Sequence, residues 1–187
     1  MMKKIIFFAA FLAFANSNMT AQATAKPAPQ TTAKPAPQTQ KISTTYDAML
    51  RRRLSFTVPL INCEQLATVQ KTESILLLDA REPSEFLVSH IAGARHVGYN
   101  FFELKNLPAV PKNTPIVVYC TVGYRSEKIG EKLITAGFTN VKNLYGSIFE
   151  WVNEGYPIVD NKEKPTDRVH AYSRAWSVWL QKGKKVY

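Results

Sequence analysis

Short apolar runs separated by amphipathic segments dominate the middle of the chain. The runs from Ile75 to Leu78 and from Ile116 to Tyr119 are continuously apolar, which is typical of strands buried on both faces of a parallel sheet. Val141 to Leu144 has the pattern of a further strand. Helical segments are expected between these strands. The alternation therefore predicts a three-layer α/β fold, in which a mostly parallel sheet carries helices on both faces.

Capping residues and helix breakers mark the predicted helices. Asn62 followed by Gln65 resembles a capping box, which predicts a helix from Asn62 to Gln70. Pro83 suits the first turn of a helix that ends at Val88. Ser126 is expected to cap the next helix. That helix is predicted to end at a glycine and to turn four residues inward, namely Ile129, Leu133, Ile134 and Ala136, before Gly137.

Further helices are expected near the two ends of the folded part. The first is amphipathic, and its apolar residues are Tyr46, Met49, Leu50 and Leu54. A short helix from Ile148 to Glu154 is followed by a tail, 161–187, that is predicted to be an amphipathic helix with an apolar face of Val169, Tyr172, Trp176 and Trp179. The tail is expected to pack on its own domain, with a partner protein or an anionic membrane surface as alternatives.

The N-terminal segment has the pattern of an export signal followed by a linker. Lys3 and Lys4 precede an apolar run from Ile5 to Ala15 that is too short to span a bilayer, so residues 1–23 are predicted to be a cleavable signal peptide. Residues 24–43 contain a proline-rich repeat, typical of an extended linker. We therefore expect a folded domain over residues 44–160 that is exported to the periplasm or secreted, with no transmembrane anchor after processing.

The distribution of charge argues against a nucleic-acid partner. The 187-residue chain has a formal net charge of +10. Residues 61–160, however, hold nine Lys and Arg against eleven Asp and Glu, so the positive excess lies in the flanks. Nucleic-acid-binding domains instead carry a basic patch on the fold itself, and no such patch is expected here.

One cysteine follows a predicted strand at the position where this fold places active sites. Cys120 comes directly after the strand from Ile116 to Tyr119, and Gly123 lies between it and a predicted helix. Ligands of parallel α/β sheets bind at the carboxyl ends of the strands. The N–H groups of such a loop and the positive end of the helix favour a thiolate over a thiol. Arg125 adds a permanent positive charge that is expected to bind an anionic substrate and to help ionise Cys120.

Four motifs, in this order and spacing, resemble the rhodanese family of sulfurtransferases. The first runs from Asp79 to Phe86, and the second, Ser89 to Ala94, matches the family's G-H-I-P-G-A except at its first and fourth positions. The third is Cys120 to Ser126, with the pattern C-x-x-G-x-R-S, and the fourth is Gly146 to Trp151. The resemblance covers residues 61–159 and implies a rhodanese-like fold.

The resemblance implies a cycle of covalent sulfur transfer. The thiolate of Cys120 would take the outer sulfur of a small donor such as thiosulfate, and the resulting persulfide would pass that sulfur to a nucleophile such as a thiol or cyanide. No cofactor is implied. The cysteines and histidines also lack the spacing of metal ligands, so no metal site is expected.

Residues around Cys120 receive expected roles. Substrate contacts are expected from the loop and from one upstream arginine, namely Thr121, Val122, Gly123, Tyr124, Arg125, Ser126 and Arg81. Asp79 is expected to support the structure through an ion pair or loop anchor with Arg81. His90 is expected to stabilise its own turn.

Other uses of the sequence remain open. Phosphatases and arsenate reductases of the same fold usually have five residues between cysteine and arginine, whereas four separate Cys120 from Arg125, which favours sulfur transfer. The domain could also carry persulfide to a protein thiol partner, or only dock to a protein. Packing in the core is the expected role of Cys63. A disulfide between the two cysteines is the alternative in an exported protein, although it would consume the nucleophile.

Removal of the signal peptide can be tested directly. N-terminal sequencing of the native protein is expected to find a start shortly after Ala21 or Ala23 in a soluble fraction from outside the cytoplasm. A control variant with a charge in the apolar run, Leu12→Arg, should keep its full N-terminus because the signal no longer functions. Recovery of wild-type protein with Met1 or Met2 intact in a membrane fraction would contradict the prediction.

Overall fold

The computed structural model describes residues 42–187, so the predicted signal peptide and nearly all of the predicted linker lie outside the described residues. Helices and strands alternate along the chain. The elements are α1 (Thr44–Arg53), β1 (Leu60–Ile61), α2 (Cys63–Thr72), β2 (Leu76–Asp79), α3 (Pro83–Val88), β3 (Arg95–His96), β4 (Ile116–Tyr119), α4 (Tyr124–Thr135), β5 (Val141–Leu144), α5 (Ser147–Asn153), β6 (Ile158–Val159), β7 (Pro165–Thr166), β8 (Arg168–His170) and β9 (Lys184–Val186), with 3-10 helices at Leu104–Asn106 and Trp176–Trp179.

A parallel sheet of five strands, in the order β1-β5-β4-β2-β3, forms the centre of the domain. Successive side chains of a strand point to opposite faces. Leu77 and Val117 accordingly pack into one apolar cluster with residues of α1, α2 and α5, whereas Leu78 and Val118 pack into a second cluster with residues of α4. Helices thus cover both faces, which confirms the predicted three-layer α/β fold.

Local sequence signals predicted the starts of two helices correctly. The side chain of Asn62 accepts a hydrogen bond from the Gln65 N–H at 2.8 Å, and the side chain of Gln65 accepts one from the Asn62 N–H at 3.0 Å. This reciprocal pair satisfies N–H groups that a helix start leaves without partners. Pro83 is the first residue of α3, where its missing N–H costs no helical hydrogen bond.

The helix after Cys120 starts earlier than predicted. α4 begins at Tyr124, directly after Gly123, so the prediction that Ser126 caps it is wrong. Gly123 has a φ of +119°, which residues with a side chain rarely adopt and which turns the loop straight into the helix. The Ser126 hydroxyl instead lies 2.7 Å from Asn143 Oδ1 and 3.0 Å from Gly123 O, below the loop.

The inward face of α4 also differs from the prediction, because Ile134 is exposed. Glu127 and Gly130 are buried on that face together with the predicted Ile129 and Leu133. The carboxylate of Glu127 accepts hydrogen bonds from the backbone N–H groups of the segment after α1, at 2.9 Å from Ser55 and 3.2 Å from Thr57. An apolar pattern cannot predict a buried face that contains a carboxylate and a glycine.

The tail is not the predicted α-helix. β8 and β9 pair in parallel, and the Trp176–Trp179 segment between them is a short 3-10 helix. Such a helix has three residues per turn, which accounts for the spacing of its two tryptophans. The tail packs on the domain, where Trp179 stacks on Tyr46 of α1 with ring centroids 5.5 Å apart. Within residues 42–187, no helix has the length and apolar content needed to cross a bilayer.

Gly130 supplies a stability test because α4 approaches Val58 closely at that point. A Cβ at position 130 would lie 2.9 Å from Val58 Cγ2. Replacing glycine by alanine gains about 1 kcal/mol of helix propensity, but overpacking a core costs about 1–3 kcal/mol. We expect Gly130→Ala to lower the free energy of unfolding in urea. Combining it with Val58→Ala should cost less than the sum of the two single changes. A Gly130→Ala protein as stable as the wild type would contradict this packing.

Candidate active site

Cys120 lies at the carboxyl end of β4 and lines a cavity of about 320 Å³. Its side chain is buried, and Sγ accepts a hydrogen bond from the Gly123 N–H at 3.1 Å. The N–H of Cys120 itself donates to the Ser147 hydroxyl at 3.1 Å, which ties the residue to the start of α5. The nucleophile predicted from sequence therefore lies where the fold places ligands.

The loop after Cys120 is oriented by α5. The N–H groups of Ile148 and Phe149 donate to the carbonyl oxygens of Cys120 and Thr121, at 3.2 and 3.3 Å. Because the N–H and C=O of a trans peptide point in opposite directions, the N–H groups of Thr121 and Val122 point away from α5. Neither has a hydrogen-bond partner within residues 42–187. These two donors are available to an anion in the cavity.

The electrostatic environment of Cys120 favours its thiolate. Burial alone would raise the pKa of the thiol. The positive charge of Arg125, the hydroxyl and N–H of Ser126 and the N–H of Gly123 together outweigh burial and lower the pKa. A lower pKa increases the fraction of the reactive thiolate at neutral pH.

Glu85 is a site residue that sequence reasoning missed. Its two carboxylate oxygens accept hydrogen bonds from Arg125 Nη1 and Nη2 at 2.7 and 2.8 Å. The Thr121 hydroxyl donates to Glu85 at 2.9 Å and accepts from Arg125 Nη2 at 2.8 Å. Burial would raise the pKa of Glu85, but the hydrogen bonds and charge of Arg125 lower it. The Glu85 carboxylate also accepts a hydrogen bond from the Glu82 N–H at the start of α3, at 2.9 Å. Only the fold brings it to the loop after β4.

The pairing of Arg125 with Glu85 limits what Arg125 can offer a substrate. Arg125 lines the cavity, as predicted, but both terminal nitrogens of its guanidinium are engaged and its charge is paired with a carboxylate. The ring of Tyr172, from the tail, lies over the guanidinium at 5.2 Å. Binding of an anionic donor by Arg125 therefore stays a prediction. The positive charge of Arg125, by contrast, lowers the pKa of Cys120 because Arg125 lies close to it.

The predicted substrate contact of Arg81 is wrong. Arg81 is completely buried, is absent from the cavity lining and forms an ion pair with Asp79 at 2.6 Å. Its Nη2 also donates to the carbonyl oxygen of Ser89 at 2.7 Å. The predicted ion pair with Asp79 is confirmed, and it holds Arg81 inside the protein, where it fixes the turn between β2 and α3.

The other predicted residues divide between the cavity wall and its support. The cavity is lined by Thr121, Val122 and Tyr124. Gly123 and Ser126 are not part of its lining, and their hydrogen bonds lower the pKa of Cys120. The His90 ring stacks on Phe86 with centroids 3.9 Å apart, and its backbone exchanges two hydrogen bonds with Val159. The expected role of His90 as a structural residue agrees with these contacts.

Cys63 has none of these activating features. It is a buried free thiol at the start of α2, and Cys120 is also free, so the two do not form a disulfide. Burial raises the pKa of Cys63, and the nearby carboxylates of Glu154 and Glu150 raise it further. Core packing is the role that its position supports. No group of three or more His, Cys, Asp or Glu side chains within residues 42–187 is arranged to hold a metal ion.

Segments outside the central motifs complete the cavity. Arg53 comes from the end of α1, and Tyr172 and Trp176 come from the tail. Glu82, Tyr99 and Asn100 line the cavity as well. The loop therefore opens into an aromatic and partly charged chamber.

Comparison with known proteins agrees with this architecture. The profile of the rhodanese-like domain matches residues 62–154. A sulfurtransferase of Allochromatium vinosum is 34% identical over 88 residues, which cover 47% of this chain and 81% of that protein. The chain belongs to the rhodanese-like family. The solution structure of the rhodanese-like domain of Alr3790 from Anabaena matches with a TM-score of 0.50 at 23% identity, over 55% of this chain and 79% of that one, a likeness that concerns the fold alone.

A longer protein whose name gives a different activity also matches the chain. A tRNA uridine(34) hydroxylase of Buchnera aphidicola is 30% identical over 133 residues, which cover 61% of this chain but only 41% of that protein. The matched region is thus less than half of that larger protein, and membership of a family does not by itself specify the substrate.

Arg125 is expected to control the ionisation of Cys120. Arg125→Ala should raise the pKa of Cys120, since the positive charge of Arg125 is what most lowers that pKa. The same change should reduce kcat/KM with thiosulfate at least tenfold, because one charge-assisted hydrogen bond to the donor is worth about 1.5–3 kcal/mol. Arg125→Lys should fall between alanine and wild type. The pKa is measured as the pH dependence of iodoacetamide alkylation at Cys120, followed by mass spectrometry.

Exposed Arg52 provides the matched control for this measurement. Arg52→Gln removes one positive charge on α1 outside the cavity lining and should leave the alkylation profile as in the wild type. If folded Arg125→Ala has an unchanged profile and unchanged efficiency, the loop N–H groups and the helix suffice, and the role given to Arg125 is wrong.

Proposed function

We propose that this rhodanese-like protein is a sulfurtransferase that carries sulfur as a persulfide on Cys120. The observation that carries the proposal is a thiol of lowered pKa that lines a cavity at the carboxyl end of β4, next to loop N–H groups without partners in the described part of the chain. The sulfurtransferase among its relatives supports the same reaction class.

The first step is attack on a donor, for which we propose thiosulfate. The Cys120 thiolate attacks the outer sulfur, the S–S bond of the donor breaks, and sulfite leaves with the electron pair of that bond. The product is a persulfide whose terminal sulfur carries the negative charge. The N–H groups of Thr121 and Val122 can stabilise that charge, in the manner of an oxyanion hole.

The second step returns the enzyme to its starting state. A nucleophilic acceptor attacks the terminal sulfur of the persulfide, the S–S bond breaks, and its electron pair returns to Cys120 Sγ. The acceptor leaves with one added sulfur atom. Splitting the transfer in this way replaces one difficult encounter between donor and acceptor by two simpler ones. Neither step requires a metal or an organic cofactor.

We also propose that the protein works outside the cytoplasm. The proposal rests on the basic and apolar pattern of residues 1–23 and on the proline-rich segment that follows. Sequencing of the native N-terminus, described above, tests it.

The mass of the intact protein tests the proposed persulfide. Incubation with thiosulfate is expected to add one sulfur atom, mapped by peptide analysis to Cys120, and cyanide should then remove it as thiocyanate. Cys120→Ser should add none, because the hydroxyl cannot form the persulfide. The matched control is Cys63→Ala, which removes the other thiol and should load sulfur like the wild type.

The outcomes separate the competing interpretations. Sulfur on Cys63, or sulfur that persists after Cys120→Ser, would overturn the site assignment. A persulfide that forms on Cys120 but reaches cyanide or small thiols only very slowly would point to a carrier for a protein thiol. Absence of any added sulfur with a reduced thiol at Cys120 would contradict the proposed reaction with thiosulfate.

A further inference from the structure

Arg53 lines the cavity and contacts two aromatic rings. Its guanidinium lies 5.1 Å from the centroid of the Tyr124 ring and 5.4 Å from that of the Trp176 ring. Contacts with the faces of aromatic rings occupy the flat surfaces of a guanidinium and leave the N–H donors at its edge available. Arg53, in the last turn of α1, thus contacts both the start of α4 and the tail.

The two arginines of the cavity differ in what they can still bind. Arg125 is paired with Glu85 and Thr121. Arg53 forms no ion pair and donates no hydrogen bond to another residue of the described range 42–187. Arg53 is exposed, and its donors are unoccupied within this range. The two ring contacts restrict its side chain, which suits a carboxylate because less side-chain freedom remains to be lost on binding.

The size and lining of the cavity suit an organic ligand. Its volume is about 320 Å³, within the range of about 300–1,000 Å³ typical of sites for small organic molecules. Four aromatic rings line it, from Tyr99, Tyr124, Tyr172 and Trp176. Thiosulfate has only five heavy atoms and no apolar surface, so it needs the loop but not these rings.

We propose that Arg53 is a specificity residue that binds the carboxylate of an organic thiol, the sulfur acceptor of this enzyme. The proposal rests on the sulfurtransferase function proposed above and names its acceptor class. Tyr124 and Trp176 position Arg53, while the aromatic lining contacts the organic part of the acceptor. The acceptor sulfur then lies toward Cys120, at the loop end of the chamber.

The transfer of sulfur to the acceptor needs no oxidant, reductant or other reactant. The acceptor thiolate attacks the terminal sulfur of the Cys120 persulfide, the S–S bond of the enzyme breaks, and its electron pair stays on Cys120 Sγ. The acceptor thiolate becomes a persulfide anion, and the enzyme persulfide becomes the Cys120 thiolate, so the total charge is unchanged. Arg53 takes no part in bond making, because it acts only on the remote carboxylate.

A paired change of enzyme and acceptor tests the role of Arg53. The probes are glutathione and its monoethyl ester, which lacks the charge of the glycyl carboxylate. With wild-type enzyme loaded from thiosulfate, kcat/KM is expected to be about tenfold higher for glutathione than for the ester, the usual size of one charge-assisted contact. With Arg53→Gln, the two acceptors should become equivalent, and the change should appear mainly in KM.

Neighbouring and conservative variants sharpen the test. Arg52→Gln removes the adjacent charge of α1 but touches no cavity wall, so it should keep the tenfold preference. Trp176→Phe keeps a ring face and should keep most of the preference, whereas Trp176→Leu should lose it because Arg53 is no longer positioned. Thermal unfolding of each variant shows whether the fold is intact.

A binding measurement separates this proposal from the proposed function. S-methylglutathione cannot accept sulfur, so calorimetric titration reports binding alone, and Arg53→Gln should weaken its binding about tenfold relative to wild type and Arg52→Gln. Equal preference for glutathione and its ester in wild-type enzyme, or an Arg53→Gln protein that retains the preference, overturns the role of Arg53 while the persulfide on Cys120 stands. Failure to load sulfur on Cys120 instead overturns the proposed function, whatever the titration gives.

Discussion

The ion pair between Glu85 and Arg125 is the contact on which the geometry of the site depends. It joins α3 to the loop after β4, and the Thr121 hydroxyl bonds to both partners. A buried carboxylate without a partner would be costly, so the pair holds both elements in one arrangement. The same pair keeps a positive charge close enough to Cys120 to lower its pKa while occupying most of the donors of that arginine.

The second constraint is the attachment of the loop to α5. Hydrogen bonds from the first N–H groups of α5 hold the carbonyl oxygens of Cys120 and Thr121 on one side, and the planar peptide then directs the next N–H groups to the other side. One helix start therefore orients the donors that face the cavity. The left-handed Gly123 completes the turn, because a residue with a side chain would be strained there.

The segments that flank the family motifs shape the chamber above the loop. α1 contributes Arg53, and the tail contributes Tyr172 and Trp176. Tyr172 has a φ of +62°, a left-handed backbone conformation that residues other than glycine seldom adopt. The flanking segments of this chain thus form part of the wall of the chamber into which the Cys120 loop opens.

The sequence by itself determined the features that depend on neighbouring residues: the apolar strands, the capping box at Asn62, the first turn at Pro83, and a cysteine at the end of a buried strand. These patterns are local, because helix caps and strand periodicity act over a few positions. Only the tertiary structure decided that Arg81 is buried, that Glu85 engages Arg125 from 40 positions away, and that the tail forms strands around a 3-10 helix. Such contacts depend on the order of strands in the sheet and on how the chain returns to it, which leave no periodic trace in the residues themselves.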